Sequence, residues 1–155
     1  MTRHLLPLAV FASAVALSIG LAASGRATEP ATTPNTVVDS HTEPTELAIV
    51  WTSGDPEVAH RMTLMYTHAA KKAGWFENVR LVVWGPSSRL LAADKDLQEK
   101  IAAMKADGVL VQACVVCANS YGVADDLRGQ DIEVLPMGGP LTKLAKDPNV
   151  SVMTF

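Results

Sequence analysis

The chain has 155 residues, 48% of them hydrophobic, with 13 basic and 16 acidic side chains and a net charge of −3. That length and apolar content suit one folded domain rather than several. An acidic chain without a basic stripe lacks the cationic side chains that attract nucleic acid or anionic lipid, so neither is expected as a partner.

Arg3 and His4 make a short basic start, an apolar run follows from Leu5 to Ala23, and small residues lead to Gly25-Arg26-Ala27. This is the pattern of a secretory signal with a signal-peptidase site, so residues 1–27 are expected to be cleaved and the protein to be periplasmic or secreted. The alternative is an uncleaved anchor, for which Pro7 and the many Ala and Ser residues make a mediocre span. Cleavage removes Arg3 and Arg26, leaving 11 basic against 16 acidic residues, a net charge of −5, and no membrane span. Residues 28–46 are Thr, Pro, Glu, Asn, Ser and Asp with almost nothing to bury, which predicts a flexible linker.

Residues 47–155 alternate between two hydrophobic periods, the mark of a parallel α/β sheet. Leu47 to Trp51 reads as a first buried strand, ending at Thr52-Ser53-Gly54. Asp55 can cap the next helix and Pro56 suits its first turn. Val58, Met62, Met65, Tyr66, Ala69 and Ala73 recur on one face, which places Met62 and Met65 in the core. Val79 to Trp84 is the second strand, ending at Gly85-Pro86-Ser87-Ser88. A turn and a helix with Leu97, Ile101 and Met104 then run to Gly108. Val109 to Ala113 is the third strand and delivers Cys114. A helix from about Val115 to Leu127, a strand Ile132 to Leu135, a short helix Leu141 to Lys146 and a strand Val150 to Phe155 complete the domain. The expected fold is a three-layer α/β/α single domain with a five-stranded, mostly parallel sheet of the flavodoxin or Rossmann kind.

Cys114 and Cys117 are the only cysteines. They stand where a buried strand turns into a helix, and the unpaired N–H groups of a helix start favour the thiolate, the nucleophilic form of sulfur. In such sheets ligands gather outside the carboxyl ends of the strands. Those ends bring Gly85, Ser87 and Arg89 after the second strand and Gly138 after the fourth into consideration as substrate-binding residues. Three chemistries are open. Cys114 can take up a sulfane sulfur and pass it on, with Cys117 tuning or resolving the intermediate. Cys114 and Cys117 can form a reversible Cys-x-x-Cys disulfide. The pair can be half of a metal site, which needs two further ligands, and His60, Met62 and Met65 are the only nearby donor cluster. Against all three stands a pair of small buried hydrophobes in a module without chemistry. No phosphate fingerprint, serine nucleophile motif or carboxylate pair at a strand end is present. No cofactor or metal is therefore expected. His60 and His68 receive no catalytic role, and Trp51 and Trp84 are assigned to the core.

The segment from Leu47 to Phe155 resembles the DsrE/DsrF-like family of sulfur-relay proteins. The resemblance rests on Val83-Trp84-Gly85-Pro86 with Leu90-Leu91, the strand from Gly108 to Cys114, Ala113-Cys114-Val115-Val116-Cys117-Ala118 with Tyr121-Gly122, and Met137-Gly138-Gly139-Pro140-Leu141-Thr142. It implies a flavodoxin-like or Rossmann-like sheet, a persulfide carried on Cys114 in the manner of a sulfurtransferase, sulfur donor and acceptor thiol proteins as partners, and homo-oligomers such as trimers or hexamers. Two features depart from the relay members: the export signal and the second cysteine, Cys117. A Cys-x-x-Cys redox protein and a non-catalytic oligomeric binding module are the alternatives to a sulfur carrier.

Overall fold

The computed structural model describes residues 43–155, so the expected signal and most of the linker lie outside the described residues. The apolar runs form five strands: β1 (Glu46–Trp51), β2 (Asn78–Val83), β3 (Leu110–Cys114), β4 (Glu133–Leu135) and β5 (Val150–Thr154). All neighbouring strands pair parallel, in the order β4-β3-β2-β1-β5. The sheet is thus wholly parallel rather than mostly so, and every connection carries a helix. These are α1 (Pro56–Val58), a π turn over Ala59–Thr63, α2 (Leu64–Lys72), α3 (Pro86–Ala93), α4 (Lys95–Ala106), α5 (Val115–Ser120), α6 (Ala124–Gly129) and α7 (Gly138–Leu144).

The strand order decides how the layers are filled. Moving from β1 to β4 the sheet grows in one direction, so right-handed crossovers place α1 to α6 on one face; the return from β4 to β5 places α7 on the other. The packing agrees. Leu47, Ile49, Leu81, Val83, Val111 and Ala113 form the main core with Leu64, Leu91, Leu97, Ile101, Met104 and Leu127. On the opposite face Val82 and Cys114 pack with Met137, just before α7. This is a three-layer α/β/α domain with unequal outer layers. Farther along the α7 face a polar row crosses four strands. Arg80 donates to Glu46 at 2.8 Å and to Gln112 at 2.7 Å, and Gln112 donates to Glu133 at 2.5 Å. These groups satisfy one another where an unpaired charge would be costly.

Asp55 caps the first helical segment as its sequence position suggests, accepting from the N–H groups of Glu57 at 2.7 Å and Val58 at 3.3 Å. The buried stripe that follows is not the expected one. Ala59, Thr63, Leu64, Thr67 and Ala70 face the sheet, whereas Met62 and Met65 are 49% and 54% exposed. The two stripes have the same period and differ by one residue. Small side chains let the helix lie close to the strands, and the Thr67 hydroxyl is satisfied by the Thr63 carbonyl at 2.6 Å, leaving a methyl to pack. The single helix expected from Val115 to Leu127 is broken into α5 and α6. Gly122 holds φ at 70°, a conformation that ends a helix and suits glycine.

Candidate functional site

Val83 ends β2, and the chain then turns through Trp84 and Gly85 into Pro86, the first residue of α3. Gly85 sits at φ 67° and ψ −133°, a region that residues with a Cβ rarely adopt. Ser87 fixes this turn. Its hydroxyl is fully buried, donates to the Trp51 carbonyl at 2.6 Å and accepts from the Trp84 N–H at 3.0 Å. The turn aims the Gly85 N–H at the sulfur of Cys117.

Cys114 is the last residue of β3 and the cap residue of α5, with φ −72° and ψ 114°. Strand alternation puts its side chain on the α7 face, where it is 3% exposed. Cys117 lies one helical turn on and is half-buried. Both are free, and they are close enough for Cys114 to perturb the Cys117 thiol. Burial pushes the Cys117 thiol up, the neighbouring Cys114 adds to this, and the Gly85 N–H opposes both by donating to the sulfur. α5 has only six residues, so the helix-start field expected from the sequence is that of a short helix.

The two sulfurs open into a pocket of about 390 Å³. Trp84, Val116, Pro136 and Met137 supply apolar walls, and Gly138 and Gly139 bring backbone close; among the described residues no charged side chain lines it. The pocket therefore lies between the ends of β2, β3 and β4, away from the reversal of strand order at β1 and β5. A second, polar cleft of about 460 Å³ between Lys95, Gln98, Asp125 and Asp126 contains no cysteine.

Of the residues singled out from the sequence, the structure brings together Cys114, Cys117, Gly85 and Gly138. Ser87 and Arg89 do not join them. Ser87 is turned into the core and spends its hydroxyl on the backbone, and Arg89 lies over the ring of Tyr121 at 5.4 Å. His60 is 3.9 Å from Asp94 and His68 is 2.6 Å from Asp107, and neither lines the pocket. Trp84 was assigned to the core; it is half-buried and forms a pocket wall. Val116 was not singled out, and Met137 was named with Gly138 and Gly139 at the end of the fourth strand but given no role. The signals for them are adjacency to the cysteines and to the glycine pair after β4. Among the described residues no group of three or more His, Cys, Asp and Glu side chains converges as a metal site, and no helix is long and apolar enough to cross a membrane.

No protein-family model matches the chain, and no curated protein matches it. Among solved structures, a conserved protein of unknown function from Bacteroides thetaiotaomicron, BT1422, is similar with a TM-score of 0.68 and 31% identity, over 72% of this chain and 95% of that one. The YchN protein of E. coli is similar with a TM-score of 0.56 and 15% identity, over 72% of this chain and 99% of that one. At that identity the likeness shows the fold alone.

Proposed function

We propose that this chain, which belongs to the family of the conserved Bacteroides thetaiotaomicron protein, carries sulfane sulfur as a persulfide on Cys114, with Cys117 as the second thiol. The observation that carries the reading is the thiol pair itself: two free, neighbouring cysteines that line one small apolar pocket. The resemblance to the DsrE/DsrF-like family supports it more weakly. Export to the periplasm or beyond, donor and acceptor thiol proteins, and assembly into trimers or hexamers belong to the same reading. Exposed Met62, Met65 and Trp75 are apolar surface of the kind that subunit contacts cover.

In loading, the Cys114 thiolate attacks the outer sulfur of a donor R–S–SH. A new S–S bond forms, the donor's S–S bond breaks, and R–S⁻ leaves with the electron pair, giving Cys114–S–SH. In delivery, an acceptor thiolate attacks the outer sulfur and Cys114 departs as thiolate. Cys117 offers a second exit. Its thiolate can attack the inner sulfur, expelling HS⁻ and leaving a Cys114–Cys117 disulfide. The adjacency of the two thiols favours that disulfide chemistry as a second reading, in which the pair exchanges electrons with a partner and holds no extra sulfur. The apolar walls give the persulfide a largely apolar surrounding.

Cyanide tests the reading, because it removes sulfane sulfur as thiocyanate. The reduced chain, incubated with polysulfide and freed of excess, should release one thiocyanate per chain, and the Cys114→Ser variant none. Equal release from both proteins, or none from either, would overturn it.

A further inference from the structure

Met137 is fully buried beside the cysteines, and it shares one cluster and one pocket with them. The geometry points to a Cu(I) site formed by Cys114, Cys117 and Met137. Two thiolates and a thioether are soft donors, and soft donors select Cu(I). A Cys-x-x-Cys step at the start of a helix sets both sulfurs on the same side of one turn. Met137 arrives from a different connection, the segment between β4 and α7, so the three donors reach one pocket from two separate parts of the chain. Zn(II) fits less well. Its closed sites take four ligands from Cys, His, Asp and Glu, and among the described residues no third such side chain joins the cysteines.

The surroundings suit a monovalent ion. Among the described residues no charged side chain lines the pocket, so two thiolates with Cu(I) leave a single negative charge there, which the Gly85 N–H faces at Cys117. Trp84, Val116 and Pro136 supply apolar walls beside the ion. Binding replaces two S–H bonds by two S–Cu bonds and releases two protons, while Met137 gives a lone pair and no proton; copper keeps its oxidation state. The site does not depend on sulfur loading, and its test contains no sulfur donor, so its failure and that of the carrier reading are separate results.

The test is an anaerobic competition between the reduced full chain and bicinchoninate, a coloured Cu(I) chelator. The wild-type chain should withdraw one Cu(I) per molecule. Met137→Leu, close to volume-conserving, should compete at least about tenfold less well, the scale on which altering a ligand's surroundings changes metal affinity. Cys117→Ser should not compete. X-ray absorption at the copper edge of the wild-type complex should count three sulfur neighbours, a reading that needs no variant to fold. Copper left with the chelator, a Met137→Leu variant that competes as well as wild type, or two sulfur neighbours in place of three would overturn the proposal.

Discussion

Gly85→Ala isolates the turn that points a backbone N–H at Cys117. An added Cβ would meet nothing within 4 Å, so the substitution tests backbone conformation without a steric clash. Holding alanine at φ 67° and ψ −133° costs about 1–3 kcal/mol. The smaller conformational freedom of alanine in the unfolded chain returns about 0.4–1 kcal/mol. The net loss expected is about 1–2 kcal/mol, which with a urea slope of roughly 1–3 kcal/mol per molar lowers the midpoint by about 0.3–2 M. Urea unfolding followed by the fluorescence of buried Trp51 measures it. Gly129→Ala is the control: it lies in α6, outside the positive-φ set and also in open space, and should be stabilising by up to about 1 kcal/mol. A Gly85→Ala midpoint equal to or above that of wild type would refute the reasoning. The same variant should slow alkylation of Cys117 near neutral pH, because the N–H that favours its thiolate is displaced.

Alkylation of Cys117 should accelerate well into the alkaline range, and Cys114→Ala should move that rise to lower pH, because it removes a neighbour that pushes the thiol up. A pH–rate profile with iodoacetamide checks both; an unmoved profile would show that burial alone sets the shift. A raised thiol pKa also means that the fold prefers the neutral form. The associated stability is complete below the unfolded cysteine value and declines as pH rises through the folded one, which urea midpoints at increasing alkaline pH can follow. Leu64→Ala should cost about 2–5 kcal/mol, whereas Met62→Ser and Met65→Ser should stay within about 0.5 kcal/mol in the isolated chain. Thermal melts that ranked the methionines with Leu64 would contradict the observed helix face. Ser87→Ala should lower stability by about 1–3 kcal/mol, because its buried hydroxyl ties the turn after β2 to β1. Sulfur loading of the folded protein should remain, and its loss would mean that Ser87 serves the site directly.

The strands were legible because buried parallel strands are continuous apolar runs, and Leu47 to Trp51 or Val109 to Ala113 has no other reading of comparable strength. Cys114 at the end of β3 followed from that run. The first helix was misread because two stripes of equal period lie one residue apart, and hydrophobicity favours Met62 and Met65 while close packing favours Ala59, Thr63 and Thr67. At the site, a position just after a strand end does not tell which way a side chain turns. Ser87 points into the core and Arg89 toward Tyr121, while Gly85 and Gly138 reach the cysteines through backbone. Met137 joins the sulfurs because β4 lies beside β3, a neighbourhood set by strand order.

Intact-protein mass spectrometry of the reduced chain, incubated with polysulfide or thiosulfate beside its Cys114→Ser variant, tests the carrier reading most directly. The account predicts a gain of one sulfur atom that requires Cys114. A loss of two hydrogens without added sulfur would assign the pair to disulfide exchange, and an unchanged mass, or a gain that survives in Cys114→Ser, would contradict a persulfide on Cys114.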